Sequence, residues 1–100
     1  MWRKNRHPNT GSLCVGVDLN RNFDDHWAVE SSPNPCFEDY HGPSAASEPE
    51  TQAISNFYLG ISGSKDAILS LSYHSYAWEY LYPYGYAKGA APANDVEIVS

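Results

Sequence analysis

The sequence predicts an α/β domain, and two neighbouring segments carry that prediction. Residues 47–50, S-E-P-E, form a capping box, and apolar residues then recur at helical spacing. Residues 67–74 largely alternate between apolar and polar positions, in the manner of a strand. A helix followed by a strand is one half of an α/β repeat.

The helix is expected to have Ser47 as its N-cap, Pro49 in its first turn and Glu50 at its third position. Gly60 and Gly63 are expected to end it. Residues at helical spacing predict one apolar face, made of Ala53, Ile54, Phe57, Tyr58 and Ile61.

Two earlier segments flank a polar cluster. Residues 13–19, L-C-V-G-V-D-L, are apolar and partly β-branched, which predicts a strand or an extended segment. The cluster N-R-N-F-D follows directly at residues 20–24. Residues 26–42 contain Pro33 and Pro35 and show no clear period, so we expect a long loop. A loop of this length in a compact domain is usually functional or tied down.

Length and charge limit the possible functions. A chain of 100 residues allows one small domain or part of a larger one. The net charge of −6 argues against a nucleic-acid partner, because phosphate binding usually requires a basic surface. No apolar run approaches the roughly 20 residues that span a bilayer, so no membrane association is expected.

The opening M-W-R-K leads into polar sequence and is not a signal peptide. Taken literally this is a cytosolic start; alternatively, Met1 is an internal residue of a longer chain. Cys14 and Cys36 are 22 positions apart, too far for a redox C-x-x-C pair and too few for a structural zinc site. They form either one disulfide or two free thiols, and the spacing leaves both open.

His74 lies near the carboxyl end of the second predicted strand, where ligands bind in an open α/β sheet. A strand end can present an imidazole to a metal ion or a substrate at a fixed angle. A single histidine is more often structural, so the residue alone leaves both roles open. His7, His26 and His41 have no partner spacing that indicates a metal, and we interpret His41 as structural.

Four sequence blocks occur in a defined order: MWRKNR at residues 1–6, GVDLNRNF at 16–23, YHGPSAASEPE at 40–50 and LSYHSYAWEYLYPYGY at 71–86. Together they resemble the middle of a zinc metallocarboxypeptidase of the carboxypeptidase A/B family, over most of the chain. The resemblance implies a partial three-layer α/β/α fold with a mixed sheet. It also implies that residues 1–100 are an internal part of the catalytic domain, incomplete at both ends.

The resemblance implies roles for three residues in the first two of these blocks. Arg3 matches the arginine that polarises the scissile carbonyl and stabilises the oxyanion, a task that suits a permanent cation. Asn20 and Arg21, within the pattern D-x-N-R-N, match the pair that clamps the free C-terminal carboxylate of a peptide. That contact would make the enzyme an exopeptidase.

The last block implies a metal ligand and a pocket. His74 matches one of three protein ligands of a catalytic zinc ion, so the expected cofactor is one Zn²⁺ per full-length domain. Ser75 and Tyr76 match residues that line the substrate groove. Leu81 and Gly85 align with positions that border the pocket for the terminal side chain.

The cysteines and the partners follow from the same resemblance. Cys14 and Cys36 match the disulfide of the family, which implies a secreted protein in an oxidising setting. The expected activity is zinc-dependent removal of the C-terminal residue from peptides and proteins. The expected partner is a peptide or protein with a free C-terminus, bound by a monomer.

The resemblance also implies what this chain does not supply. The other two zinc ligands of the family come from an upstream H-x-x-E motif, which does not occur in this sequence, and the general-base glutamate comes downstream. We therefore expect the isolated chain to bind zinc negligibly and to be inactive alone. Two classes stay open for the whole protein: an active zinc exopeptidase, or a non-catalytic pseudoenzyme or binding module that keeps the carboxylate clamp.

Overall fold

The structure is a computed structural model that describes residues 1–63, 69–76, 78–84, 86 and 89–90. It divides into two units, Met1–Ile68 and Leu69–Ser100, and each is described by itself. In the described part of the chain the helical elements are a 3₁₀ turn, Leu19–Arg21, and a helix, α1, Pro49–Ser62. No helix among these residues is long and apolar enough to cross a membrane.

Helix α1 confirms the predicted helix but begins differently. Its N-cap is Glu48, which makes no side-chain cap hydrogen bond, so the expected Ser47 cap is wrong. The Ser47 hydroxyl donates to a Glu48 carboxylate oxygen and accepts from the Asn22 side chain, so it does not cap the first turn. Pro49 lies in the first turn and Gly63 is the C-cap, both as expected, whereas Gly60 lies inside the helix, so the expectation that it helps to end the helix is wrong.

The apolar side chains of α1 are mostly exposed within the first unit. Ile54, Phe57 and Leu59 have exposed fractions of 45%, 64% and 72%. The buried residue of the helix is instead the polar Thr51. The helical spacing therefore predicted the element correctly, whereas burial of its apolar face is not found among the described residues.

Residues 13–19, predicted as a strand or an extended segment, do not form a regular strand. Their single ladder contact is an isolated antiparallel bridge between Pro8 and Val15. Asparagine side chains take several bonds that a neighbouring strand would make: the Val17 amide donates to Asn5 Oδ1, and Asn9 Nδ2 donates to the Cys14 carbonyl. Backbone bonds add to these contacts, since the Asn5 amide donates to the Val17 carbonyl and the Gly16 amide to the His7 carbonyl, yet no continuous ladder develops.

The second predicted strand is also not found in the described residues. Residues 69–74 have no regular structure, and residues 67–68 lie outside the described part of the chain. Leu69, Leu71 and Tyr73 are exposed by 72%, 62% and 91%. Packing between side chains on one face stabilises a strand, and these three side chains are exposed in the described part of the second unit.

The interior of the first unit is mainly polar. Among its described residues, the buried apolar side chains are those of Val17 and Tyr40. The buried polar residues are Lys4, Asp18, Asn22, Ser32, His41, Glu48 and Thr51. Because buried polar groups must find partners, their hydrogen bonds set the positions of the surrounding loops.

A disulfide ties the long loop to the rest of the first unit. Residues 26–42 are irregular, as predicted, and Cys36 within them is bonded to Cys14. The Lys4 ammonium donates to the Pro35 carbonyl next to that disulfide. The two contacts fix the middle of the loop against the N-terminal segment.

Candidate functional site

Arg3 is anchored by a carboxylate that lies 15 positions further along the chain. Its Nε and Nη2 atoms both lie 2.8 Å from Asp18 Oδ2. The Asp18 side chain is 4% exposed, whereas the Arg3 side chain is 49% exposed. A buried carboxylate therefore orients the guanidinium, and about half of the arginine remains open to solvent.

The same Asp18 begins the turn that carries the predicted carboxylate clamp. Its Oδ1 atom accepts a hydrogen bond of 3.2 Å from the Asn20 amide, which makes it the N-cap of the 3₁₀ turn Leu19–Arg21. Its own amide donates to the Tyr40 carbonyl at 2.9 Å. One aspartate thus joins the predicted oxyanion arginine to the predicted clamp.

Asn20 and Arg21 occupy the outer side of this turn. Asn20 is exposed and Arg21 is partly exposed. The Arg21 Nη1 atom donates to the Asn20 carbonyl at 3.1 Å. The two side chains that the sequence assigns to carboxylate binding are therefore adjacent on a short fixed turn and reachable from solvent.

Asn22 fixes the other end of the turn. It is fully buried, and its Nδ2 group donates to the carbonyls of His41 and Ser44 and to Ser47 Oγ, at 2.9, 3.2 and 2.9 Å. Its Oδ1 atom accepts from the Glu48 amide at 3.1 Å. Through these bonds the Asn22 side chain attaches the turn to residues 41–44 and to the start of α1.

The absence of a side chain at Gly42 leaves space for the Asn22 side chain. Its φ angle is +87°, and an added Cβ atom would lie 2.6 Å from Asn22 Nδ2 and 2.8 Å from Ser47 Oγ. Real Cβ atoms essentially never approach so closely. Only glycine fits both the backbone conformation and the space at this position.

A fully buried carboxylate, Glu48, lies at the centre of a polar cluster. Asn5 Nδ2 donates to its Oε2 at 2.7 Å, and Ser47 Oγ donates to its Oε1 at 2.9 Å. His7 Nδ1 lies 2.8 Å from Oε2 and 3.1 Å from Oε1. We call Asn5, His7, Ser47 and Glu48 the Glu48 cluster.

The cluster favours the ionised carboxylate. Burial acts to raise the pKa of Glu48, since it penalises the charged form. The hydrogen bonds of the cluster and the charge of His7 act in the other direction, and the net effect lowers the pKa below its usual 4.5. The pKa of nearby Tyr40 is raised, first by burial and then by the charge of Glu48.

The remaining predicted site residues belong to the second unit. His74 is exposed, and its Nε2 atom lies 3.1 Å from Ser72 Oγ. Tyr76 and Leu81 are exposed by 91% and 88%, and the peptide bond between Ser75 and Tyr76 is cis. Gly85 lies outside the described residues.

Among the described residues, no group of three or more His, Cys, Asp or Glu side chains could hold a metal ion. The other histidines have different contacts: His7 joins the Glu48 cluster, and His26 pairs with Asp25. His41 is buried and contacts the Ser31 hydroxyl at 2.8 Å. The burial and the contact of His41 agree with the interpretation that it is structural.

Comparison with known proteins identifies the family. The family model described as zinc carboxypeptidase matches residues 1–100. The chain belongs to the zinc carboxypeptidase family. It is 49% identical to rat mast cell carboxypeptidase A over 95 residues, which cover 92% of this chain and 22% of the relative. It is 46% identical to bovine (Bos taurus) carboxypeptidase B over 99 residues, covering 98% of this chain and 23% of the relative.

Solved structures agree with this assignment. The chain superposes on carboxypeptidase A from Helicoverpa armigera with a TM-score of 0.84 and 40% identity, covering 96% of this chain and 23% of that one. Thrombin activatable fibrinolysis inhibitor gives a TM-score of 0.85 and 36% identity, covering 97% and 24%. The chain therefore has part of the α/β carboxypeptidase fold, and it spans about a fifth of the length of these relatives.

Sequence reasoning missed the residues that hold the site in place. Asp18, Asn22 and Glu48 carry no predicted role, yet they anchor Arg3, the clamp turn and the start of α1. The first two are the outer letters of the D-x-N-R-N pattern, and an aspartate directly before a turn is a recognisable cap signal. Nothing in the sequence indicated that Glu48 is buried.

Proposed function

We propose that this chain is part of a zinc-dependent metallocarboxypeptidase that removes the C-terminal residue from peptides and proteins. The family match over residues 1–100 supports the reaction class. The observation that carries the substrate class is the position of Asn20 and Arg21, side by side on a turn that Asp18 and Asn22 hold from both ends.

The clamp would recognise the free C-terminus of the substrate. A guanidinium binds a carboxylate through two parallel N–H bonds, and an amide adds a neutral donor from the side. Because the turn is held by buried hydrogen bonds, little ordering is required when the substrate binds. A chain end is the part of a polypeptide backbone that carries such an anion, so this contact selects terminal residues.

Arg3 would stabilise the negative charge that develops on the scissile carbonyl oxygen. A permanent cation held in advance suits this role, since it needs no reorganisation as the charge forms. Asp18 provides that orientation through its bonds to Nε and Nη2. The exposed half of the side chain leaves the arginine accessible to substrate.

The zinc ion is proposed to be bound by the whole domain. His74 is a chemically suitable ligand, while the described residues do not complete a three-ligand set, so the other ligands would come from elsewhere in the protein. When bound, zinc would act as a Lewis acid and lower the pKa of a bound water. Ser75 and Tyr76 would line the substrate groove, and Leu81 and Gly85 would border the pocket for the terminal side chain.

The fold of the complete domain and the compartment of the protein are also inferred. We infer that the complete domain is a three-layer α/β/α structure with a mixed sheet, of which residues 1–100 are one part. The disulfide between Cys14 and Cys36 supports a secreted protein, because such bonds persist in oxidising compartments. The expected state is a monomer that acts on peptides, with neither nucleic acid nor membrane as a partner.

The test is an Arg21→Ala substitution in the full-length protein, assayed on one peptide with a free C-terminus. We expect kcat/KM to fall by about 100-fold or more, because a charge-assisted bidentate contact to the substrate is lost. Arg21→Lys should recover part of the loss, since lysine keeps the charge without the planar fork.

Arg6→Ala is the matched control, because the Arg6 guanidinium stacks 3.8 Å from the centre of the Trp2 ring and has no proposed contact with substrate. Unchanged kcat/KM in Arg21→Ala would refute the clamp. If the wild-type protein bound peptides with free C-termini without cleaving them, it would be a binding module and not an enzyme.

A further inference from the structure

Asp18 contacts both of the segments that the proposed function assigns to the substrate. Its Oδ2 atom lies 2.8 Å from Nε and from Nη2 of Arg3, and its Oδ1 atom accepts from the Asn20 amide at 3.2 Å. The side chain is 4% exposed. The two oxygen atoms of one buried carboxylate therefore hold two different parts of the candidate site.

Asp25 offers a comparison within the same unit. Its carboxylate pairs with the neighbouring His26 at 2.9 Å, and its side chain is 86% exposed. Exposed ion pairs contribute little because water screens them, whereas a buried carboxylate depends on the partners it has. Asp18 is of the second kind, so a change at its carboxylate affects both of its partners.

The backbone brings the segments of Arg3 and Asp18 side by side. The Asn5 amide donates to the Val17 carbonyl at 3.0 Å, and the Val17 amide donates to Asn5 Oδ1 at 2.8 Å. Gly16 permits this close approach, because its φ angle is +87° and an added Cβ atom would overlap the Asn5 carbonyl oxygen. The two segments are thus joined by bonds other than the ion pair, which the guanidinium and the carboxylate then add.

Further backbone bonds attach Asp18 to the clamp turn and to the long loop. The Arg21 amide donates to the Asp18 carbonyl at 2.9 Å, and the Asp18 amide donates to the carbonyl of the buried Tyr40, also at 2.9 Å. Asp18 is therefore held through its backbone as well as its side chain, and the Asn20–Arg21 turn begins at a fixed point.

We propose that Asp18 is a positioning residue that sets the distance between Arg3 and the Asn20–Arg21 clamp: Oδ2 orients the oxyanion arginine and Oδ1 holds the clamp turn. This inference rests on the proposed function for the roles of Arg3 and the clamp. In a peptide that loses its last residue, the scissile carbonyl lies one residue from the terminal carboxylate. One side chain that holds both binding groups keeps them at a single separation, which suits cleavage at the terminal peptide bond.

Substitution can separate the roles of the two oxygen atoms. Serine is as good an N-cap as aspartate, so in Asp18→Ser the hydroxyl should still accept from the Asn20 amide, although it is too short to hold Arg3. Asp18→Ala removes both contacts. In both variants the half-exposed guanidinium of Arg3 remains in contact with water, so neither variant leaves a buried charge without a partner.

The experiment measures kcat and KM of the full-length protein on one peptide with a free C-terminus. We expect kcat to fall about tenfold in Asp18→Ser with KM within about twofold of wild type, because only the orientation of Arg3 is lost. Asp18→Ala should show the same loss of kcat and a KM about fivefold higher than that of Asp18→Ser, because its clamp turn has no cap. KM does not depend on the fraction of folded enzyme, so a merely structural role would not separate the two variants.

Two further variants serve as checks on these kinetics. Asp18→Asn fills the space of the aspartate and is an equally good N-cap, so it should give the same kcat and KM as Asp18→Ser. Asp25→Ser, in the exposed pair, should leave both constants at their wild-type values.

Arg3→Ala tests whether Oδ2 acts through the arginine. Its kcat should fall by about 100-fold or more, and adding Asp18→Ser should lower kcat no further, because Asp18 acts on kcat through Arg3. A further loss of about tenfold in the double variant would overturn the orienting role of Oδ2.

The exchange rate of the Asn20 amide provides a readout of the cap that does not depend on activity. The rate should be about fivefold higher in Asp18→Ala than in wild type and close to wild type in Asp18→Ser. Equal exchange rates in the three proteins, or an equal KM in the serine and alanine variants, would overturn the positioning role of Oδ1. The expected exchange difference in a protein that cleaves no peptide would contradict the proposed function and support the hold of Asp18 on the clamp turn.

Discussion

The first unit contains two regions of opposite character: the irregular residues 1–48 and the regular helix α1, Pro49–Ser62. The irregular region buries Asp18, Asn22 and Glu48, and each of them has hydrogen-bond partners. The helix is regular, yet Thr51 is its buried residue, and Thr51 Oγ1 has no hydrogen-bond partner among the described residues. Among the described residues of this unit, most buried side chains therefore lie outside the regular helix.

The comparison shows where the candidate site obtains its rigidity. Most buried side chains of residues 1–48 are polar, so their stabilisation comes from satisfied hydrogen bonds more than from apolar area. Such a network is sensitive to mutation, because the loss of one side chain leaves its buried hydrogen-bond partners unsatisfied. The helix tolerates change on its exposed face, since its hydrogen bonds are local.

The largest expected effect comes from Asn22→Ala. The substitution removes four hydrogen bonds and leaves the buried Glu48 amide without its Asn22 acceptor. We expect the free energy of unfolding to fall by about 3 kcal/mol or more, measured by urea denaturation.

Asn56→Ala is the matched control in α1, where the asparagine is exposed. It should change the free energy of unfolding by no more than about 0.5 kcal/mol. Equal losses of unfolding free energy in Asn22→Ala and Asn56→Ala would contradict the claim that residues 1–48 depend on their hydrogen-bond network more than α1 depends on its exposed face.

A smaller effect, with opposite signs in the two regions, is expected from glycine-to-alanine substitutions. Gly42→Ala should destabilise by about 2 kcal/mol, because φ is +87° and the new Cβ atom would press on Asn22 and Ser47. Gly60→Ala should stabilise by about 0.5 to 1 kcal/mol, since Gly60 lies inside α1 with nothing within 4 Å of the new atom. Thermal unfolding of both variants measures the two shifts, and a shared sign would contradict the account.

The sequence predicted the local features of the fold better than the long-range ones. The extent of α1 and the irregular loop at residues 26–42 follow from spacing, proline and glycine, which act within a few residues. The N-cap was wrong because Ser47 is engaged by Asn22, 25 positions away. For residues 13–19, predicted as a strand or an extended segment, a regular strand is not found, and the side chains of Asn5 and Asn9 take some of the bonds that a ladder would use.

The candidate site was predictable only in part. Resemblance to the family pointed to Arg3, Asn20, Arg21 and His74, whose roles remain proposals. Asp18 caps the clamp turn through a local signal, but its bond to Arg3 and the bonds of Asn22 join distant segments and are encoded by no local pattern. A buried glutamate such as Glu48 runs against the usual preference of this residue for the surface, so hydropathy could not have revealed it.

Amide hydrogen exchange, resolved by residue, tests the central claim most directly, because it compares the two regions in one experiment. The amides of Val17, Asp18 and Glu48, bonded to Asn5 Oδ1, the Tyr40 carbonyl and Asn22 Oδ1, should exchange about tenfold more slowly than those of residues 56–62 in α1. The account predicts that the irregular region is the more protected. Slower exchange throughout the helix than at Glu48 would show that the polar network does not hold the site, and would contradict it.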